Sequence, residues 1–236
     1  MFSTVLVCGE GPGFRRLAIG EKGVLWLEVT ATGDAGHSSA VRAGRSAAAR
    51  LAHAVSAIDG LTGRRGTLPP ELGGLAAVGP CHDPGLELTA NVGVMAAGTF
   101  IGQMATAGRA EVYLRLPPGI STDAEEEMVR TAIGGDGLSV RRIKGWDANF
   151  TDPDSALVRS WQHAEALAGL AAADHPIRLP ASDASRWRQL GIEAICYGPQ
   201  PTLSAGIDDY AVEDDVINCV SLYTLAAVSY LTTDGR

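Results

Sequence analysis

His37 stands in the string GDAGHSS, with Gly33, Asp34 and Gly36 before it and Ser38 and Ser39 after it. An imidazole on such a reversal can donate a hydrogen bond to a developing oxyanion. It can equally bond a backbone carbonyl and serve only the turn. Glu10 is the second group of interest, because it follows the apolar run STVLVC inside GEGPG, just past the end of a short strand. Ligands of open α/β sheets collect at such ends, so a carboxylate there either takes a metal ion or sits solvated in the turn. Metal hydrolysis would ask for more. None of the five histidines stands in an HxD or HExxH arrangement, and the one Glu-Glu run, Glu125 to Glu127, lies in an amphipathic helical pattern away from any ligand cluster. The four cysteines, Cys8, Cys81, Cys196 and Cys219, form no CxxC and no dense disulfide spacing, and two of them lie in apolar strand-like runs as small hydrophobes. Neither a Ser-His-Asp arrangement nor a phosphate-binding glycine loop is present.

The elements that hold these groups follow from periodicity. Val24, Trp26, Glu28 and Thr30 alternate with Leu25, Leu27 and Val29, which predicts a half-buried strand into Gly33. An Ala-rich helix from about Arg42 to Ile58 comes next, then a Gly/Pro/Arg-rich connection from Gly60 to Pro84 with one apolar passage, LAAVG. Leu86 to Met95 and Gly108 to Leu116 alternate like paired antiparallel strands. TDAEEEMVRTAIG is a short helix with Ser121 or Thr122 as its cap, and LSVRRIKGW is a final strand. The order β-α-β-β-α-β is that of a ferredoxin-like sandwich with one sheet face uncovered, which predicts pairing with a second chain.

After Gly145 the pattern becomes α/β. A helix starting near Asp152 and Pro153 carries Leu157, Val158, Trp161 and Ala164 on its apolar side. IRLP, SDASRWRQLG, IEAICYGP and EDDVINCVSLYTLAAVSYL then read as strand, helix, strand and helix, with Trp187 and Leu190 as core contacts. The division expected is 1–21 with 146–236 as one α/β domain and 22–145 as a second. A net charge of −8 argues against a nucleic-acid partner. The start MFSTVLVC lacks the pattern of a signal peptide and no apolar run approaches membrane-spanning length, so no membrane and a cytoplasmic location are expected.

The strings KG…V…TGDAGHSS…G…A, LTANVGVMAAG, AEVYLRLPPG and ASDASRWRQLGIEAICYGP, in this order, resemble the M20 family of zinc-dependent amidohydrolases and peptidases. That family includes acetylornithine deacetylase, succinyl-diaminopimelate desuccinylase and glutamate-releasing carboxypeptidases. The resemblance implies a lid, or dimerisation, domain inserted in a remnant of the catalytic α/β domain. It implies that His37 reaches across a dimer to stabilise the tetrahedral intermediate in the partner's site. Asn91 and Arg115 take substrate-binding places, Arg115 gripping a carboxylate through its bidentate fork, although a strand-edge arginine can also only solvate its sheet. Glu10 takes the place of a zinc ligand. Asp183, before a helix, and Asp209, after a turn, give structural support near the site.

The departures matter as much. The family's usual asparagine and proline ahead of Arg115 are Gly102 and Ala105 here, and its aspartate is Tyr113. Its last histidine ligand falls on Ala205, or on Gly206 in a shifted register, and the following glutamate on Asp209. Its HxD, bridging aspartate and Glu-Glu pair with the general base precede the segment matched here. The reading that follows is a shortened M20-like protein with no tightly bound cofactor. It would act as a dimerising or partner subunit that supplies His37 in trans, as a homodimer through the lid or a heterodimer with a complete M20-type subunit. Two alternatives stand beside it. One is an amidohydrolase acting on a small carboxylate-bearing substrate, either with zinc on Glu10, Asp208 and Asp209 or without metal on His37 and Arg115. The other is a carboxylate-binding protein that keeps Arg115.

Overall fold

The computed structural model describes residues 4–11, 16–72, 84–199 and 207–233, so LAAVG, Cys81, Ala205 and Gly206 lie outside the described residues. The chain divides into two compact units, one of Met1–Lys22, Leu68–Gly85 and Asn149–Arg236, the other of Gly23–Thr67 and Leu86–Ala148.

In the first unit β1 (Val5–Cys8) and β2 (Gly20–Glu21) are short. The other strands are β7 (Asn149–Phe150), β8 (Ile177–Arg178) and β9 (Glu193–Cys196), and the helices are α3 (Ala156–Leu167), α4 (Asp183–Gln189) and α5 (Glu213–Thr233). β1 runs parallel to β9 in a two-stranded sheet, and β2 lies between β7 and β8 in a three-stranded one. α3 begins one turn later than Asp152 and Pro153 suggest. Asp152 Oδ1 accepts from the Asp154 N–H at 2.8 Å and closes a turn, which leaves Ser155 to cap the helix through the Val158 N–H at 3.3 Å. Trp161 is buried against Tyr197 and Tyr223, with ring centroids 4.6 and 5.9 Å away. Cys219, Leu222, Ala226 and Tyr230 bury one stripe of α5 at helical spacing.

Two expectations are corrected here. Trp187 and Leu190 are 38% and 74% exposed rather than core contacts, because α4 buries Ala184 and Ser185 instead. The expectation that no apolar run reaches spanning length fails at α5, where Glu213–Thr232, 20 residues, is long and apolar enough by length and composition to cross a membrane. Part of that apolarity is accounted for by the stripe just described.

The second unit follows the expected order of elements. β3 (Gly23–Thr32), α1 (Ala47–Asp59), β4 (Thr89–Ala97), β5 (Ala107–Leu116), α2 (Thr122–Ile133) and β6 (Leu138–Trp146) form one antiparallel sheet, in the order β4-β5-β3-β6, with two helices. Alternation in β3 does what the pattern implies: Leu25, Leu27, Val29 and Ala31 share a core with Leu51, Ala54 and Ile58 of α1 and Val129 of α2. Trp26, Glu28 and Thr30 face the other way. Burying these aliphatic side chains stabilises the unit by roughly 1.5–3 kcal/mol for each large one. α1 starts at Ala47 rather than near Arg42, because residues 42–45 are held in a turn: the Asp34 N–H donates to Arg45 O at 2.9 Å and the Arg45 side chain pairs with Asp34 at 2.7 Å. Ser121 caps α2 through the Ala124 N–H at 3.2 Å. β4 is an edge strand with a bulge between Val92 and Val94, and its Val94 and Met95 are 45% and 47% exposed.

Candidate functional site

His37 caps a short 3-10 turn, Ser38–Ala40, and its Nδ1 accepts from the Ser39 N–H at 3.2 Å, with Ser39 Oγ at 2.8 Å. A backbone N–H can only donate, so Nδ1 is the acceptor nitrogen and the neutral ring carries its proton on Nε2. Through Nδ1 the ring serves its own turn. Its loop is pinned to the β4–β5 connection: Ser38 N–H donates to Gly102 O at 3.1 Å and Met104 N–H to Gly36 O at 2.9 Å, while His37 and Gln103 stand as an isolated antiparallel bridge. Gly33 permits this. A Cβ there would lie 2.3 Å from Ala47 N and 2.5 Å from Ala105 O, so only glycine lets the strand end, the helix start and the hairpin meet. His37 is exposed, at the rim of a depression of about 630 Å³ lined also by Gly36, Phe100, Gln103, Met104 and Arg109.

Arg115 and Asn91 belong to the other end of the same sheet. Arg115 is registered with Val24 on β3 and Thr89 on β4, and Asn91 with Tyr113, so the two lie on the open face one diagonal step apart, about 7 Å. Arg115 is 7% exposed; its Nη1 donates to Tyr113 Oη at 3.2 Å and its guanidinium lies 5.9 Å from the Tyr113 ring centre. The row continues through Trp26, whose ring meets Tyr113 edge-on at 5.5 Å and carries Lys144 Nζ 3.6 Å from its centre. Next along the face, Glu28 accepts from Arg109 at 2.6 Å and from Arg141 at 2.8 Å, and those two bonds hold its carboxyl below the usual range. His37 is not part of this row. From Val24 to Thr32 the β3–β5 pair runs eight residue steps, about 26 Å, and His37 lies beyond the far end. One sheet therefore brings Asn91 and Arg115 together and keeps His37 away from both.

Of the first unit's candidates, Glu10 is half exposed and its Oε2 accepts from Arg178 Nη2 at 2.7 Å. Asp208 and Asp209 are exposed in a turn. Asp183 is the exposed first residue of α4, and the helix is capped by Ser182, whose Oγ accepts from the Ala184 N–H at 3.2 Å. Among the described residues no group of three or more His, Cys, Asp or Glu side chains can hold a metal ion. A two-zinc site needs several such donors around an open position for water; the residues described here do not fit one, and Glu10 stands instead in a carboxylate–guanidinium pair.

A buried polar network went unforeseen. Glu21 is 1% exposed; it accepts from the Ser182 N–H at 2.7 Å and from Ser182 Oγ, and forms an ion pair with the buried Arg188, whose Nη2 lies 3.1 Å away. Cys196 Sγ lies 3.0 Å from Ser182 Oγ and 3.5 Å from Glu21 Oε1. The neighbouring Cys196 thiol pulls the pKa of Cys8 down, and the Cys8 thiol together with burial pushes that of Cys196 up. The signal lay in IGEKGVLWL, where two charges interrupt an apolar run: such charges are either solvated or buried with partners.

The second unit is thus an antiparallel sheet backed by two helices, with a histidine loop at one end and an asparagine–arginine pair at the other. Residues 19–139 match the Peptidase dimerisation domain of M20 enzymes, and the chain belongs to the M20 family. It is similar to a probable carboxypeptidase of Neosartorya fischeri, 35% identical over 160 residues, which is 66% of this chain and 34% of that protein. A probable carboxypeptidase of Aspergillus niger is 36% identical over 134 residues, 56% of this chain and 30% of that one. The chain thus spans about a third of the length of these curated relatives. In fold it is similar to the M20 family metallo-carboxypeptidase Sso-CP2 from Sulfolobus solfataricus, with TM-score 0.67 and 17% identity over 94% of this chain and 67% of that one. A Staphylococcus aureus tripeptidase gives TM-score 0.65 and 16% identity over 93% and 54%.

Proposed function

We propose that the second unit is a ferredoxin-like lid that pairs with the lid of another M20-type subunit, and that this chain supplies His37 to that subunit's hydrolytic site. The partner is a second copy or a complete carboxypeptidase- or amidohydrolase-like relative acting on a small carboxylate-bearing substrate. The observation that carries this reading is the separation of His37 from Arg115 by the length of one sheet. A group that must meet the substrate held by Arg115 cannot come from the same lid. Pairing two lids about a two-fold axis beside β4 would run the sheets in opposite senses, so that the His37 end of one approaches the Arg115 end of the other. β4 offers an exposed apolar edge for it.

The chemistry of the loop supports the role. With Nδ1 occupied by the Ser39 N–H, Nε2–H is the donor left for an oxyanion, and the pinning to Gly102 and Met104 holds it in place before substrate arrives. Arg115 supplies a charge-assisted grip on a carboxylate, with Asn91 beside it. Hydrolysis itself needs a metal set that these residues do not make, so the reading assigns that step to the partner. Purified chain should hold well under one zinc per chain by elemental analysis and should co-elute with a complete M20 subunit. Two zinc equivalents retained after dialysis would revive the hydrolase alternative. Binding of carboxylate ligands that is lost in Arg115→Ala, without any partner, would favour the binding-protein one.

A further inference from the structure

We propose that Cys8 and Cys196 form a reversible dithiol–disulfide couple, a modification site in the first unit separate from the lid chemistry above. The two residues are direct register partners at the ends of β1 and β9. Neighbouring strands lie about 4.8 Å apart, which puts the paired Cα atoms inside the roughly 4.4–6.8 Å span that a disulfide bridges. Side chains of register partners leave the sheet on the same face, so no strand has to turn for the sulfurs to meet. Both thiols are free as described.

Their surroundings divide the labour. Cys8 is partly exposed, whereas Cys196 is fully buried, so an oxidant in solution reaches Cys8 only. Cys196 has Ser182 Oγ at 3.0 Å and Glu21 Oε1 at 3.5 Å, with the buried Arg188 paired to the same carboxylate. Cys196 packs with Ala18, Ala184 and Ala194, and beside those apolar neighbours it has a hydroxyl and a carboxylate that can take its proton. The co-reactant is a low-molecular-weight disulfide such as oxidised glutathione. The Cys8 sulfur attacks one of its sulfurs, the first small thiol leaves with the Cys8 proton, and a mixed disulfide remains. Cys196 then gives its proton towards Glu21 and attacks the Cys8 sulfur, and the second small thiol departs with that proton. Two protein thiols are oxidised, one small disulfide is reduced to two thiols, and the new bond ties β1 to β9 beside Glu10.

The test treats the folded chain with oxidised glutathione, quenches with acid, and reads intact mass and a non-reducing peptide map. The expected product is lighter by two hydrogens, has lost two of its four thiols, links the Cys8 and Cys196 peptides, and reverts with dithiothreitol. Cys196→Ser should stop at one lasting glutathione adduct on Cys8, and Cys8→Ser should leave Cys196 unmodified. A lasting adduct on Cys8 in the unaltered chain, an inert Cys8, or a link from Cys8 to Cys81 or Cys219 would overturn the proposal. The map of the unaltered chain decides the matter even where a variant fails to fold.

Discussion

Removing the Glu21 carboxylate should unfold the first unit more readily than any surface change, and the size of the effect can be worked out in advance. Glu21 is buried, accepts from the Ser182 N–H at 2.7 Å and from Ser182 Oγ, and forms an ion pair with Arg188 at 3.1 Å. In Glu21→Ala the Arg188 side chain, 2% exposed, keeps its bonds to Asn149 Oδ1 at 2.8 Å and Ala194 O at 2.7 Å but loses its only counter-charge in this network. Breaking one partner of a buried pair costs about 3–5 kcal/mol. The Ser182 N–H adds about 1–3 kcal/mol if it stays unpaired. The two bonds Arg188 keeps, and some water entry, offset part of this, so about 3–4 kcal/mol is expected. That is a large share of the roughly 5–15 kcal/mol a domain has. Urea unfolding of the first unit, followed by hydrogen exchange of β9, reads it. Replacing both charges with apolar side chains, Glu21→Leu with Arg188→Met, should recover most of the loss, because the pair's burial cost disappears with it. A Glu21→Ala loss under about 1 kcal/mol, or a double variant no better than the single, would show that the network is solvated and the reasoning wrong.

Three further outcomes are expected. Burial raises the Glu165 carboxyl above its ordinary 4.5, against the bonds it accepts from the Ala173 N–H and Trp161 Nε1. The folded chain therefore holds that proton to higher pH than the unfolded chain does, so stability falls as pH rises from about 4.5 through the raised value and then levels; Glu165→Gln should flatten that slope in a pH series of melting midpoints. Gly33→Ala should cost about 1–3 kcal/mol by overpacking against Ala47 and Ala105 and raise proteolysis of the His37 loop, whereas an unchanged melt and digest would mean that the backbone there yields freely. Val94→Lys places a charge on the exposed edge of β4 and should weaken lid pairing at least tenfold by sedimentation without lowering the melting midpoint; unchanged association would move the interface away from β4.

Most of the second unit was legible because its signals are local. The alternation in Gly23–Thr32 is strict enough to assign both faces of β3, and Leu138–Trp146 is the strand the residues suggest. The start of α1 was not, since Arg42 and Ala43 are good helix formers, and it is Gly44 at φ +72° together with the Asp34–Arg45 pair that makes the turn. Site chemistry shows the same divide. His37, Asn91 and Arg115 could be named from their strings, but their separation comes from the register of β3 against β5, and register is a property of two segments some eighty residues apart. Glu21, Ser182, Arg188 and Cys196 could not be joined in advance for the same reason, as no spacing in the sequence relates them.

The central claim is that His37 works in a site completed by another subunit. The direct test is single-turnover and steady-state kinetics of a mixed assembly in which this chain, carrying His37 or His37→Ala, is paired with a complete M20 subunit whose own lid histidine is removed. With His37 present, turnover of a carboxylate-bearing amide should be restored. With His37→Ala it should fall by about a hundredfold or more at unchanged assembly, the loss expected for one oxyanion donor. Equal rates for the two assemblies would contradict the account.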